Sequence, residues 1–298
     1  MQLSKTQKED LAKIAIEAVK DCQEILKQYK DVPLKKQHKD KGHSRASSVV
    51  TEVDFLCQKK ILSHLKPTLS TFDLGLLTEE AEDDKSRLIK DYFWCIDPLD
   101  GTLPFTEGAS GYAVSIALIA RNGISHIGVV LDPGKEALYH AILDGGAFCN
   151  QKPLLRGKKE KPKHLSLMVD RSLVERDFYH QVIGKILDIS QKLDYKAPMK
   201  ITQHGAAVMN ALWALEEGGL YFKLPKKEEG GGSFWDFAAT CCLYKECGLF
   251  VTDFFGAPLL FNQKETTFMN QKGVLYAADK KLAEALLQEN WHEFIPKS

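Results

Sequence analysis

Residues 94–105 read WCIDPLDGTLPF, an apolar run that ends abruptly in two carboxylates, Asp97 and Asp100, followed by Gly101 and Thr102. A strand end holds such side chains rigidly, and two aspartates this close repel unless a cation lies between them. Hard oxygen ligands of this kind suit Mg²⁺. Gly101 lets the backbone turn and come close to a ligand, and the amides of that turn, or of a helix that starts there, can hold phosphate oxygens. Thr102 adds a hydroxyl. Asp-Pro and Asp-Gly are each common turn dipeptides and say little alone. Together and in this order they are specific.

Working outward, the chain from Tyr92 runs as short apolar stretches separated by turn residues. These are YFWCI, YAVSIALIA, the turn at Asn122 and Gly123, HIGVVLD, the turn at Pro133 and Gly134, ALYHAI, and Gly145-Gly146. This is the pattern of an antiparallel meander. Upstream, Ser4 with Gln7 makes a capping box ahead of Leu11, Ile14, Ala18, Cys22, Ile25 and Tyr29, which predicts a long first helix. A polar stretch over 32–48, rich in Lys and His, reads as a loop, and Thr51 with Asp54 caps a second helix through Leu56, Ile61 and Leu65.

Downstream, RGKKEKPKH (156–164) cannot be buried unpaired and marks a boundary between residues 1–158 and 159–298. Beyond it come a strand LSLMVD, helices near 172–191 and 205–217, and a strand GLYFKL. A helix from Ser233 to Glu246 stopped by Gly248, strands LFVTD and VLYAAD, and a last helix KKLAEALLQE follow. The order predicts a layered α+β protein, with an antiparallel sheet in the first subdomain and a mixed sheet in the second.

Composition narrows the class. Forty basic and forty acidic residues among 298 cancel, so no global field draws the chain to a nucleic acid polymer or an anionic membrane. Nowhere do about 18 apolar residues run together, and the charged start MQLSKTQKEDLAKIAIEAVK lacks the apolar stretch of a secretory signal. Seven scattered cysteines, an odd number without CxxC spacing, read as reduced core thiols. The expected location is the cytoplasm.

The Asp97–Thr102 segment superficially resembles the DxDGT signature of haloacid-dehalogenase-like phosphatases. There the nucleophilic aspartate stands two positions before the second Asp, and here that position is Pro98, which cannot form an aspartyl phosphate. DPLDGT instead resembles the Asp-Pro-hydrophobic-Asp-Gly-Thr signature of the inositol monophosphatase superfamily, and its companion motifs are present. LGLLTEE supplies Glu79 and Glu80, Trp235, Asp236, Ala238 and Ala239 match Trp-Asp-x-Ala-Ala, and Thr51 with Asp54 matches Thr-x-x-Asp. Singly, Glu79 and Glu80 would open a solvated acidic stretch, and Asp54 and Asp236 would cap helices. Four elements in the family's order over residues 51–240 make the resemblance specific.

The resemblance implies an αβαβα sandwich and a phosphatase that uses two or three Mg²⁺ ions and is inhibited by lithium. It implies that Glu79, Asp97 and the Leu99 carbonyl bind one ion and that Asp97, Asp100 and Asp236 bind a second. Thr102, hydrogen-bonded to Asp54 and near Glu79, would orient the attacking water, with no protein nucleophile. Asp100, Gly101, Thr102, Gly205 and Ala206 would line the substrate side.

Specificity is read less directly. Lys223 stands where bisphosphate nucleotidases often carry a basic residue for a second phosphate, which favours a 3'(2'),5'-bisphosphate nucleotidase. Glu229, seven residues before Asp236, matches a glutamate with which inositol monophosphatases hold sugar-like hydroxyls, which favours a polyol phosphate. The GGGS insertion at 230–233 can move either candidate relative to the metals. The basic stretch with Lys39, Lys41, His43 and Arg45 resembles the relatives' mobile loop. A homodimer is implied by many relatives. A non-catalytic sensor on the same fold is the alternative of another class, but sensors usually lose a ligand or the threonine, and none is missing here.

Overall fold

Ser4 opens α1 (Lys5–Tyr29): its hydroxyl accepts from Gln7 N at 3.2 Å and the Gln7 side chain accepts from Ser4 N at 2.9 Å. The computed structural model describes residues 2–30, 32, 37–38, 49–154, 162–291 and 293–295. A short antiparallel pair, β1 (Gln37–His38) with β2 (Val49–Val50), departs from the loop reading of 32–48, since β1 falls inside that stretch and pairs with the two residues that follow it. Thr51 caps α2 (Glu52–Thr71) through its hydroxyl, which accepts from Val53 N at 3.2 Å.

The first sheet has seven strands in sequence order. They are β3 (Gly75–Thr78), β4 (Tyr92–Asp100), β5 (Ala113–Ala120), β6 (Ser125–Asp132), β7 (Ala137–Ile142), β8 (Gly146–Cys149) and β9 (Lys152–Pro153). The meander β4 to β9 is antiparallel throughout. β3 joins it in parallel, with Leu76 beside Trp94 and Thr78 beside Ile96, a pairing that four residues of apolar pattern do not reveal. A short helix, α3 (Thr102–Thr106), follows β4 directly.

The second sheet has the order β11-β10-β12-β14-β13, where β10 is Ser166–Met168, β11 Lys200–Thr202, β12 Leu220–Lys223, β13 Phe250–Thr252 and β14 Val274–Ala277. Its first three strands are parallel and β14 runs antiparallel to both neighbours, so the sheet is mixed. β11 is an additional edge strand, three residues long and too polar to show a pattern. The helix read over 172–191 is two helices, α4 (Arg171–Val174) and α5 (Tyr179–Lys192), because the apolar period that packs (Tyr179, Val182, Ile186, Ile189) starts only at Tyr179. α6 (Ala207–Glu217), α7 (Phe234–Glu246) and α8 (Lys280–Gln288) complete the chain.

Alternation along β4 fixes the layers. Trp94 and Ile96 are buried with residues of α1 and α2, whereas Phe93 and Cys95 are buried with residues of α6 and α7. In the second sheet Met168, Tyr221 and Tyr276 join the α6–α7 core, and Leu167, Phe222 and Leu275 join that of α5 and α8. The result is helix, sheet, helix, sheet, helix, with α6 and α7 between the two sheets. The boundary between 158 and 159 lies outside the described residues.

Candidate active site

β4 carries the first two carboxylates, and its register explains their convergence. Residues three apart on a regular strand point to opposite faces. Here Asp97 pairs with Ser115 and Asp100 with Ala113, so β4 carries an extra residue over the Pro98–Leu99 step and bulges. The bulge re-aims one side chain, which brings both aspartates to the same end of the sheet. The next residue, Gly101, has φ +92°, and a Cβ there would meet Ala206 Cβ at 2.9 Å and the Gly111 carbonyl oxygen at 3.0 Å. Only glycine fits that conformation and that approach.

The third aspartate arrives on α7. Asp236 is the third residue of the helix and accepts from Ser233 N, closing a capping box with Ser233. Asp97, Asp100 and Asp236 each place a carboxylate oxygen within 4.8 Å of the others. Asp97 and Asp100 are buried. Asp97 Oδ1 accepts from Leu99 N at 3.0 Å, and Asp100 Oδ2 accepts from Val208 N at 2.8 Å in the first turn of α6. Glu79 leaves β3 with its amide on the Ile96 carbonyl at 3.1 Å, which sets it beside Asp97.

Like charge is concentrated here with little to balance it. Burial first, and then Glu79, Asp100 and Asp236, push Asp97 well above the usual carboxylate range. Burial and Asp236 do the same to Asp100. Burial raises Asp236 to about 6, against the opposing pull of Lys223 and with Glu79 adding to the rise. A divalent cation among these oxygens would remove the conflict, and an all-oxygen donor set of carboxylates and a carbonyl fits Mg²⁺.

Behind the cluster, Thr102 Oγ1 donates to Asp54 Oδ1 at 2.8 Å and lies 3.3 Å from the Leu99 carbonyl. Asp54 Oδ2 accepts from Thr51 N at 2.9 Å and from Thr51 Oγ1 at 2.7 Å. Burial outweighs these bonds and raises the Asp54 pKa. The structure therefore gathers Asp54, Glu79, Asp97, Leu99, Asp100, Gly101, Thr102 and Asp236 in one place, with Gly205 and Ala206 at the start of α6 against the Gly101 and Gly111 turns.

The substrate-side candidates divide. Lys223, at the end of β12, lies inside a cavity of about 120 Å³ that shares Asp170 with it as a wall. Its ammonium is 3.0 Å from Asp170 Oδ2 and 5.5 Å from the Phe237 ring centre. Burial alone would lower its pKa, but Asp170, then Asp236 and Asp100, hold it above the ordinary lysine value. Glu229 is exposed and does not line this cavity, whereas Glu228 does. The basic residues Lys39, Lys41, His43 and Arg45 lie outside the described residues.

Asp170 is the residue that pattern reading missed. It ends the LSLMVD stretch and accepts from Asn210 Nδ2 and from the Tyr221 hydroxyl, each at 3.1 Å, besides facing Lys223. The available signal was the one that marks β4, an apolar strand ending in a carboxylate. Cysteine chemistry plays no part at the site: all seven are free thiols, six of them buried, and burial raises Cys95 well above and Cys241 to about 11.

A five-layered α/β fold whose strand and helix ends gather hard oxygen donors beside glycine turns is the architecture of a phosphatase site. The family model for the inositol monophosphatase family matches residues 7–293, and the chain belongs to that family. It is a phosphoric monoester hydrolase by that membership. The chain is 31% identical over 243 residues to the Nus factor SuhB of Xylella fastidiosa, covering 80% of each chain. It is 26% identical over 241 residues to the fructose-1,6-bisphosphatase/inositol-1-monophosphatase of Thermotoga maritima, covering 81% of this chain and 84% of that one. The extragenic suppressor protein suhB from Bartonella henselae has the same fold, with a TM-score of 0.69 at 22% identity over 94% of this chain and 100% of that one.

Proposed function

We propose that the protein is a magnesium-dependent phosphatase that hydrolyses a small phosphate monoester by direct attack of water. The observation that carries this is the convergence of Asp97, Asp100 and Asp236 within 4.8 Å beside the Thr102–Asp54 hydrogen bond. Glu79, Asp97 and the Leu99 carbonyl would hold one Mg²⁺, and Asp97, Asp100 and Asp236 another. Bound there, Mg²⁺ supplies Lewis-acid polarisation of the phosphoryl oxygens and acidifies water.

The chain's own groups do the rest. Because Thr102 Oγ1 gives its proton to Asp54, its lone pairs are left to accept from water, which orients that water for in-line attack. The amides of Gly101 and Thr102, at the start of α3, are placed to hold phosphoryl oxygens. Gly205 and Ala206 form the wall on the leaving-group side and leave room for it. No side chain is needed as a nucleophile.

For the substrate, the leading reading is a 3'(2'),5'-bisphosphate nucleotidase, supported by a charged lysine, Lys223, inside the cavity that adjoins the acidic cluster. A polyol monophosphate is the second reading, supported by the exposed carboxylate of Glu228 on the cavity wall, which can accept from hydroxyls, and by the named activity of the Thermotoga relative. The test is phosphate release in Mg²⁺ from adenosine 3',5'-bisphosphate, inositol 1-phosphate and fructose 1,6-bisphosphate, each with and without lithium. Preference for the nucleotide supports the first reading, and preference for inositol phosphate replaces it with the second. Release from none of the three would contradict both.

A cytoplasmic homodimer is part of the same proposal. No helix among the described residues is long and apolar enough to cross a membrane, and the free thiols suit a reducing compartment. Sedimentation as a monomer at micromolar concentration would refute the dimer.

A further inference from the structure

The cavity next to the acidic cluster holds more positive charge than its buried wall uses. Lys223 is paired with Asp170 at 3.0 Å, which leaves it a fixed internal charge. Two further cations line the same cavity, Arg176 and Lys226. Neither makes an ion pair among the described residues, and the Lys226 ammonium reaches only the Glu229 carbonyl at 3.5 Å. The same cavity has an apolar lining that includes Phe178, Phe222, Leu224 and Phe294.

Both cations are held in place by the backbone. The buried amide of Asn270 donates to the carbonyls of Lys226, Lys227 and Glu228 at 3.2, 3.3 and 3.0 Å, and Lys226 N donates to the Asn270 carbonyl at 2.8 Å. The Lys226 stem passes close over Gly231, where a Cβ would meet its Cε at 2.9 Å. Arg176 sits in the tight connection of α4 to α5, where its amide donates to the Leu173 carbonyl at 3.1 Å and its carbonyl accepts from Tyr179 N at 2.9 Å. A pinned loop and a tight turn bring two cations without an ion pair among the described residues to one volume, whose single exposed carboxylate is Glu228.

We propose that Arg176 and Lys226 form a second anion subsite, which takes a second phosphate group carried on the leaving-group side of the substrate. The proposal rests on the phosphatase reading of the acidic cluster, which takes the first phosphate. The phenylalanine wall accommodates the framework that joins the two. Burial, and then the neighbouring Lys223 and Arg176, depress the Lys226 pKa against the weaker opposing pull of Glu228 and Asp170, so a phosphate placed there would relieve the crowding of cations. Arg supplies a fork that matches phosphate geometry, and Lys a compact charge beside it.

The test compares substrate pairs that differ only in the second phosphate. One is adenosine 3',5'-bisphosphate against adenosine 3'-monophosphate, the other fructose 1,6-bisphosphate against fructose 1-phosphate. For each, kcat/KM and calorimetric binding are measured on the wild type and on the Arg176→Ala/Lys226→Ala double variant. Charge-assisted bonds to phosphate of this kind carry roughly 10- to 100-fold in affinity. The wild type is expected to favour the two-phosphate member of at least one pair by about that factor, mainly through KM, and the double variant is expected to lose the preference.

A fall in the nucleotide pair alone assigns the apolar wall to a base, a fall in the sugar pair alone to a sugar, and a fall in both to the phosphate by itself. Each of these supports the subsite. A wild type with no preference in either pair, or a preference that survives the double substitution, overturns it. If the wild type releases phosphate from none of the four, the phosphatase reading fails, and the binding ratio, which needs no turnover, still decides the subsite.

Discussion

The two sheets meet the site with opposite electrostatics. The end of β4 gathers carboxylates that push one another's pKa values up, with only the partial opposing pull of Lys223 on Asp100. At the ends of β10 and β12, one carboxylate, Asp170, is closed off by Lys223, Asn210 and Tyr221. The first arrangement is relieved by protons or by a cation from outside, because buried like charges are costly unless compensated. The second is internally neutral and asks for no metal, and on the proposed reading it shapes the volume the leaving group enters. The proposed function thus draws its chemistry from one sheet and its specificity from the other.

The comparison breaks first at Asp97. Asp97→Asn is expected to lower kcat by at least ~10³-fold while the metal-free variant stays folded, since it relieves repulsion in the cluster. Phosphate-release kinetics with circular dichroism check this, and undiminished activity would end the metal reading. Thr102→Ala comes next, with kcat expected to fall ~10²-fold and Thr102→Ser to recover most of it, because the hydroxyl bonded to Asp54 is the working part.

On the other sheet the effect moves from turnover to stability. Asp170→Asn leaves Lys223 largely buried without its partner and is expected to cost about 2 kcal/mol in urea unfolding. Adding Lys223→Met should return part of that loss, and strictly additive losses would show that the two are not coupled.

The smallest effect lies in the first sheet, away from the site. Burial first, with Lys8 and Lys245 adding to it against Asp144, lowers the His126 pKa from 6.5 to about 4. A depressed histidine binds its proton more readily when unfolded, so its contribution is intact above pH 6.5 and is lost as pH falls toward about 4. His126→Gln should flatten acid unfolding in that window by about 1 kcal/mol. An unchanged acid limb would show that His126 does not carry the sensitivity.

How much of this could be read in the residues follows the same division. Local signals were legible. The caps at Ser4, Thr51 and Ser233 and the turns of the meander are short-range, and so is the apolar run ending in Asp97. What escaped depends on long-range contact. β3 pairs with β4 through four residues, and β11 is a polar edge of three, so neither has room for a period. The Asp170–Lys223 pair joins residues at the ends of two strands brought together only by sheet pairing. Glu229 had a motif-based spacing, but Glu228 is the residue on the cavity wall, in a loop held by the distant Asn270 side chain.

The most direct test of the central claim is phosphate release from the best substrate of the panel as a function of Mg²⁺ after the protein has been stripped with EDTA. Release should be absent in the stripped protein, return on adding Mg²⁺ and fail to return in Asp97→Asn. Release that persists in EDTA, or that Asp97→Asn leaves intact, would contradict the account.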